Sequence, residues 1–155
     1  MIRKIALATL VAGMLDIMSA FYFAGVAGKS PAYVLHFVAS GPFGDQALHG
    51  TSWAILGLVV HFALMAAMAA AYIAFAPSFP SLYDRPWLAG LLYGLLLWGI
   101  MYWIVRPLRW PDLPLPTAGG LVGVAKQLFS HCILVGLPIA YIARTGGTAT
   151  RAGRR

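Results

Sequence analysis

Residues 51–76 constrain the fold of this chain most strongly, because they read TSWAILGLVVHFALMAAMAAAYIAFA and contain no formal charge. An α-helix rises about 1.5 Å per residue, so roughly 20 apolar residues cross the ~30 Å hydrocarbon layer of a bilayer. This stretch is therefore long enough to span a membrane. His61 would then lie near the middle of the bilayer, where a polar side chain needs a partner inside the protein.

The composition extends this prediction to the whole chain of 155 residues, of which 61% are hydrophobic and 10% are charged. Soluble domains carry roughly 25% charged residues, so these values indicate a membrane protein. Three further apolar stretches predict three more spans. The predicted fold is all-α, a four-span transmembrane helical bundle that forms one domain over residues 1–143. The expected spans are near residues 5–27, 51–76, 87–105 and 117–143.

A short helix is predicted between the first and second spans. Ser30 and Pro31 suit the N-cap and the first helical position, and Gly41 with Pro42 suits a helix end. Residues 31–40 are mostly apolar but too few to cross a bilayer. We therefore expect an interfacial helix that lies on the membrane or dips into the mouth of the bundle.

The basic residues indicate partners other than nucleic acid. The net charge is +7, but four of the eleven basic residues lie in residues 144–155. We expect this Gly-, Thr- and Arg-rich tail to be disordered and to attract anionic lipid head groups of the bilayer. No folded basic module is present to bind nucleic acid. The sequence does not decide between a monomer and a homo-oligomer.

Lys and Arg counts also predict the orientation of the bundle. If the N-terminus is cytoplasmic, seven of the eleven basic residues lie on that side, three lie on the other side, and Lys126 lies inside a span. Basic residues are enriched on the cytoplasmic side of membrane proteins. We therefore expect a multi-pass protein of a bacterial inner membrane with both termini in the cytoplasm.

Polar residues of three spans share helix faces with small residues, which let helix backbones approach each other. Counting from the span ends places Asp16, His61 and His131 within about one or two turns of the same depth. We predict that these faces meet in a buried polar cluster, with Lys126 near enough to pair with Asp16 or to extend toward the membrane surface. The predicted ligand or proton-pathway residues are Asp16, His61, Lys126, Gln127, Ser130 and His131.

Three interpretations of this cluster stay open. In the first, the polar groups only join the helices of a structural or accessory membrane subunit. In the second, the cluster binds or conducts a proton or a small solute, because ionisable residues inside membranes are candidates for function and histidine titrates near neutral pH. In the third, His61 and His131 hold a haem between facing helices of a redox subunit. No other cofactor is expected.

The sequence contains no recognisable catalytic or metal motif. Asp16 is the single carboxylate inside a predicted span, which excludes paired-carboxylate chemistry there. Cys132 is the single cysteine, which excludes an intrachain disulfide and every multi-cysteine metal motif. Ser-His-Asp spacing and phosphate- or dinucleotide-binding loops are also absent. We therefore predict no catalytic residue and no metal site, and nothing in the sequence favours an enzyme.

Segments in the second half of the chain resemble a known family. Residues 61–80 read HFALMAAMAAAYIAFAPSFP, residues 85–94 read RPWLAGLLYG, and residues 106–108 read RPL. This succession of a histidine-containing span, a proline turn and a Trp- and Gly-Leu-Leu-containing helix start is similar to the YagU-like group of uncharacterised bacterial inner-membrane proteins. Ser130 and His131 resemble a Gly-His pair in that group. The resemblance implies a multi-spanning inner-membrane protein, and it implies no activity or catalytic residue.

Overall fold

The computed structural model describes residues 1–145, and within them the chain forms helices and turns without a strand. Four helices are long and apolar enough to cross a membrane, which confirms the predicted all-α bundle and is compatible with an integral membrane protein. The predicted disordered tail lies, from residue 146 onward, outside the described residues. The four long helices, called spans 1 to 4 below, are Ile2–Val26, Thr51–Ser78, Pro86–Arg109 and Gly120–Arg144.

Shorter elements build and connect these spans. The α-helices are, in chain order, α1 (Ile2–Val26), α2 (Pro31–Phe43), α3 (Thr51–Phe75), α4 (Ser81–Asp84), α5 (Pro86–Gly99), α6 (Arg106–Arg109), α7 (Gly120–Leu128) and α8 (Leu137–Arg144). Short 3₁₀ helices cover Asp45–Leu48 and Ala76–Ser78. Wider π-helical segments cover Ile100–Val105 in span 3 and Phe129–Gly136 in span 4. Span 3 thus includes the RPLR segment, which the sequence had placed in a connection.

Each π-helical segment lies immediately before a helix that has proline at its second position. These prolines are Pro107 in α6 and Pro138 in α8. A proline ring clashes with the carbonyl four residues earlier, here that of Trp103 or Leu134, and it also removes one backbone donor. A wider preceding turn accommodates the ring without ending the helix. Spans 3 and 4 therefore stay continuous, but their faces rotate relative to those of a regular α-helix.

The helix α2 begins where the sequence predicts and ends three residues later. The Ser30 hydroxyl accepts a hydrogen bond from the backbone N–H of Tyr33 at 3.2 Å, which confirms the N-cap. The predicted end at residue 40 is wrong, because α2 continues through Pro42 to Phe43. The chain leaves the helix at Gly44, whose φ of 79° is a conformation that favours glycine.

One face of α2 packs directly on α3. A Cβ added at Gly57 of α3 would overlap the Leu35 carbonyl of α2, so the two backbones touch. Beyond span 3, the Trp110 ring stacks on the Phe37 ring of α2 with centroids 4.4 Å apart. The predicted interfacial helix is therefore held against the bundle by spans 2 and 3, and its depth in a bilayer stays a prediction.

A guanidinium group fixes the end of α2 to the end of span 3. The Arg109 Nε donates to the carbonyl oxygens of Ser40 and Gly41 at 2.9 and 3.1 Å. Its Nη2 donates to the Asp45 carboxylate at 2.8 Å. Arg109 thereby satisfies two carbonyl oxygens near the end of α2 and one carboxylate at once.

The two ends of the bundle differ in what they carry. The Lys4 ammonium donates to the Ala143 carbonyl oxygen at 2.8 Å, so the first turn of span 1 meets the last turn of span 4. We call this the terminal end of the bundle. The opposite end carries α2 and the connection over residues 110–119, and we call it the α2 end. Because the number of spans is even, the start of span 1 and the end of span 4 lie at the same end of the bundle.

Spans 3 and 4 approach so closely that their backbones touch. A Cβ added at Gly94 would overlap the backbone of His131 and Cys132, and one at Gly90 would lie 2.8 Å from the Leu137 Cα. Span 1 packs between span 2 and span 4. The small residues of the helix faces thus set which spans can meet and how closely.

A matched pair of glycine substitutions tests this contact. We expect Gly94→Ala to lower the free energy of unfolding by about 1–3 kcal/mol, because the new methyl group has no room between the backbones of spans 3 and 4. Gly99→Ala in the same span is the control, since a Cβ there meets nothing within 4 Å. Denaturant unfolding in detergent, followed by circular dichroism, measures both. Equal stabilities of the two variants would contradict the backbone contact.

Candidate functional site

His61 is a buried residue of span 2 with a side chain that is 5% exposed. Its Nε2 lies 2.9 Å from the carbonyl oxygen of Gly13 in span 1. Since a carbonyl oxygen can only accept, Nε2 carries a proton in this bond. A Cβ at Gly13 would lie 2.7 Å from the Phe62 ring, so only glycine allows this approach. Spans 1 and 2 are thereby joined about 15 Å from the start of α3.

Two serine hydroxyls join span 1 to span 4. The Ser19 hydroxyl donates to the backbone carbonyl of Asp16 at 2.8 Å. The Ser130 hydroxyl lies 2.9 Å from the Ser19 oxygen. Because a hydroxyl has one proton and that of Ser19 is used, Ser130 is the donor in this second bond. The pair fixes the relative height of the two spans beside the Asp16 side chain.

The Asp16 side chain extends from span 1 toward ionisable groups of the other three spans. It interacts electrostatically with His131 and His61 and also with Tyr102 of span 3. The Tyr102 and His131 rings meet edge to face, with centroids 5.5 Å apart and planes at 76°. The structure therefore brings together groups from all four spans at one depth of the bundle.

Three polar groups at this point have no hydrogen-bond partner within residues 1–145. They are the carboxylate of Asp16, the hydroxyl of Tyr102 and the Nε2 atom of His131. The other ring nitrogen of His131 donates to the Gln127 carbonyl oxygen at 3.1 Å, which leaves Nε2 with a lone pair when the ring is neutral. All three side chains are only partly buried. Their free groups are thus available to water or to a small ligand.

Gln127 connects other parts of the fold. Its Oε1 accepts a hydrogen bond from the Trp98 indole at 2.9 Å, and its Nε2 donates to the Pro116 carbonyl oxygen at 3.0 Å. Both ends of the amide are used in contacts to span 3 and to the turn before span 4. The structure therefore places Gln127 beside the cluster, where it positions the backbone carbonyl that His131 contacts.

Lys126 extends away from Asp16. Its ammonium lies over the Phe23 ring, 5.3 Å from the centroid. The Cα–Cβ bond of a helical residue tilts toward the N-terminus of its own helix. Since spans 1 and 4 are antiparallel, Lys126 and Asp16 tilt in opposite directions. Of the two predicted arrangements of Lys126, the ion pair with Asp16 is not present, and the ammonium lies toward the α2 end; its depth in a membrane stays a prediction.

Tyr102 is a residue of the site that the sequence analysis did not predict. Tyr102 also interacts electrostatically with Arg106, one turn further along span 3. The spacing of Tyr102 and Arg106 would have suggested a shared face, but the proline-rich sequence after residue 106 hid the continuation of the helix. Ser19 appeared on the polar face of span 1 but was not predicted to form part of the site.

Neither a metal site nor a haem site is evident from the geometry. Within residues 1–145, no three His, Cys, Asp or Glu side chains are grouped so that they could hold a metal ion. Haem between His61 and His131 stays a prediction, and its fit is poor on the side of span 2. His61 is almost fully buried, and iron ligation through Nε2 would break its hydrogen bond to Gly13.

Comparisons with known proteins do not identify the chain. No protein-family model, no curated protein and no solved structure matches it. The resemblance to the YagU-like group therefore stays a prediction. The function has to be inferred from the geometry of the polar site.

A double-mutant cycle tests the contact between spans 1 and 4. We expect Ser19→Ala and Ser130→Ala to be coupled by about 0.6 kcal/mol, the usual size of a hydrogen bond between membrane helices. Unfolding in detergent measures the two single variants and the double variant. Ser52→Ala combined with Ser130→Ala is the control, because Ser52 lies exposed in the first turn of α3 and the two effects should add. Additive effects of Ser19→Ala and Ser130→Ala would contradict the bond.

Proposed function

We propose that this protein is a small inner-membrane protein whose mid-membrane polar cluster binds or conducts a proton or a small polar solute. The observation that carries the proposal is the carboxylate of Asp16, which has no hydrogen-bond partner within residues 1–145 and interacts electrostatically with His131, His61 and Tyr102 inside a bundle of apolar spans. An ionised carboxylate at this depth is costly unless a proton, a cation or water compensates it. Such a group is retained at a cost in stability, which favours a functional role.

The two histidines suit the proposed proton binding. His61 and His131 each use one ring nitrogen in a hydrogen bond to a backbone carbonyl, at Gly13 and Gln127. The second ring nitrogen of each remains a proton acceptor while the ring is neutral. A protonated histidine beside Asp16 would form a charge pair in a medium of low dielectric constant. Asp16, His61 and His131 can therefore share a proton among three spans.

A structural role for the polar residues is the second candidate function. Three contacts support it, namely those of His61 with Gly13, Ser19 with Ser130 and Trp98 with Gln127. Each of them joins two spans, as expected of an accessory subunit whose polar groups only fix helix packing. The free carboxylate of Asp16 makes no such contact within the described residues, which is why we favour ligand or proton binding.

The cellular setting is part of the proposal. The distribution of basic residues supports an orientation with both termini in the cytoplasm, and the resemblance to the YagU-like group supports a bacterial inner membrane. The basic residues near the C-terminus would contact anionic lipid head groups. A homo-oligomer is compatible with the fold, and we propose no enzymatic activity. A Soret band in purified protein would test the haem alternative, with His131→Ala as the control that should abolish it.

A pH titration of the two histidines tests the proposed function. In detergent or nanodiscs, the ring signals of His61 and His131 report the protonation of each imidazole. Asp16→Asn should change at least one midpoint by about one pH unit, because it removes the nearby negative charge while keeping the shape. Histidine-selective NMR measures both midpoints.

The matched control replaces an acidic residue far from the cluster. Asp112→Asn, in the exposed connection before span 4, should leave both midpoints unchanged. If both histidines titrate normally and ignore Asp16→Asn, the cluster does not bind protons as a unit. If Asp16→Asn prevents folding altogether, the structural role is favoured instead.

A further inference from the structure

The polar cluster is closed on one side by a tightly packed apolar core. Between the cluster and the terminal end, spans 1 and 4 and the adjoining face of span 2 pack through small and aliphatic side chains that are almost fully buried. Representative residues are Ala8, Ala12, Ala69, Val135, Ile139 and Ala140, each at most 1% exposed. Interiors of this kind exclude water. A solute or proton therefore reaches the cluster in this conformation from the α2 end.

Toward the α2 end, the interior surface is polar and partly exposed. Asp16, Ser19, Tyr102 and His131 all retain solvent-accessible surface. An unpaired carboxylate does not face lipid, because the hydrocarbon layer offers it no hydrogen-bond donor. We therefore assign water as the partner of Asp16, in a space bordered by Tyr102 of span 3 and His131 of span 4. We call this space the vestibule, and its inner end is the polar cluster.

Two basic residues lie between the polar cluster and the α2 end. Lys126 lies one turn closer to the α2 end than Ser130, and its ammonium rests on Phe23 of span 1. Arg106 lies one turn closer to the α2 end than Tyr102, with which it interacts electrostatically. Spans 3 and 4 thus each place one fixed positive charge above the cluster.

Within residues 1–145, neither Arg106 nor Lys126 forms an ion pair with an acidic side chain of the α2 end. Asp45 is paired with Arg109 at 2.8 Å and Asp112 lies in the exposed connection. Asp16 is below the two basic residues, at the inner end of the vestibule. Fixed positive charges at a constriction repel cations and attract anions, as they do in selective pores.

We propose that Arg106 and Lys126 form a basic collar, through which small anions enter the vestibule in preference to cations. Solutes enter the vestibule from the α2 end only. The inference rests on the proposed function, because it assigns a solute class and a direction of access to the same site. An anion that passes the collar meets Asp16, which repels it unless the carboxyl group holds a proton. Anion binding and proton binding in the cluster should therefore favour each other.

Charge-selective labelling of single cysteines tests the collar. Cys132→Ala removes the native thiol, and Ser19→Cys then places a thiol of similar size below the collar. Two membrane-impermeant methanethiosulfonates, one with a sulfonate and one with a trimethylammonium group, are applied to sealed vesicles of either orientation. After correction for their reactivity with a free thiol, the sulfonate should react faster with Ser19→Cys. Lys126→Gln or Arg106→Gln should reduce this preference by about tenfold, because one positive charge is lost.

Control cysteines establish the side of access and the integrity of the fold. Thr117→Cys, which is exposed outside the collar, reports the α2 end, and Thr145→Cys reports the terminal end. Ser19→Cys should be labelled from the side that labels Thr117→Cys. Ala69→Cys, in the apolar core, should react from neither side. Lys126→Arg keeps the charge and should keep the preference for the sulfonate.

Two results would overturn the inference. Labelling of Ser19→Cys from the terminal end, or from neither side, would exclude a vestibule at the α2 end. A preference for the trimethylammonium reagent, or one that ignores both Lys126→Gln and Arg106→Gln, would exclude the collar. The histidine titration is independent of both results. A coupled titration with cation-selective labelling would leave the proposed function standing and refute the collar alone.

Discussion

The scarcity of hydrogen-bond partners inside an apolar layer governs the arrangement of this protein. Each polar side chain within a span must find a donor or acceptor on another span or on its own backbone. His61 reaches the Gly13 carbonyl, Ser130 reaches Ser19, and Trp98 reaches Gln127. The Asp16 carboxylate has no such partner within residues 1–145, and neither do the buried hydroxyls of Thr9 and Tyr72. Asp16 is set apart from them because it is the one acidic group within a span and interacts electrostatically with two histidines. A polar group that only joins helices and a polar group of a functional site both occur inside the apolar layer. They can be told apart only by their hydrogen-bond partners.

Backbone contacts determine where these polar groups can meet. Glycines at the contacts of spans 1 with 2 and 3 with 4 let one helix backbone approach the side chain or backbone of the next. In the terminal half of the bundle, small and aliphatic residues pack span 1 tightly against span 4. The α2 half retains its polar residues and two unneutralised basic side chains. One half of the bundle interior is therefore more polar than the other. This difference is the reason why we propose access from the α2 end.

The predicted site residues differ in how far local sequence could place them. Asp16, His61 and His131 were expected at one depth because their distances from the span ends are similar, and the structure brings them into electrostatic contact. Gln127 makes contacts that depend on the turn at Pro116, which periodicity does not describe. Lys126 follows the tilt of side chains in antiparallel helices. Tyr102 was not predicted as a cluster residue, because the rotation that the π-helical segment Ile100–Val105 introduces into span 3 cannot be read from the sequence.

The sequence by itself determined the four spans, the short helix between the first two and the presence of ionisable residues at mid-depth. These follow from composition, from the length of apolar stretches and from capping residues, all of which act locally. Only the tertiary structure decided which polar groups are satisfied and which are left free. That choice depends on which backbones touch and on the rotation introduced by the π-helical segments before Pro107 and Pro138. A change of one residue in register turns a side chain about 100° around its helix, so a partner cannot be assigned from spacing alone.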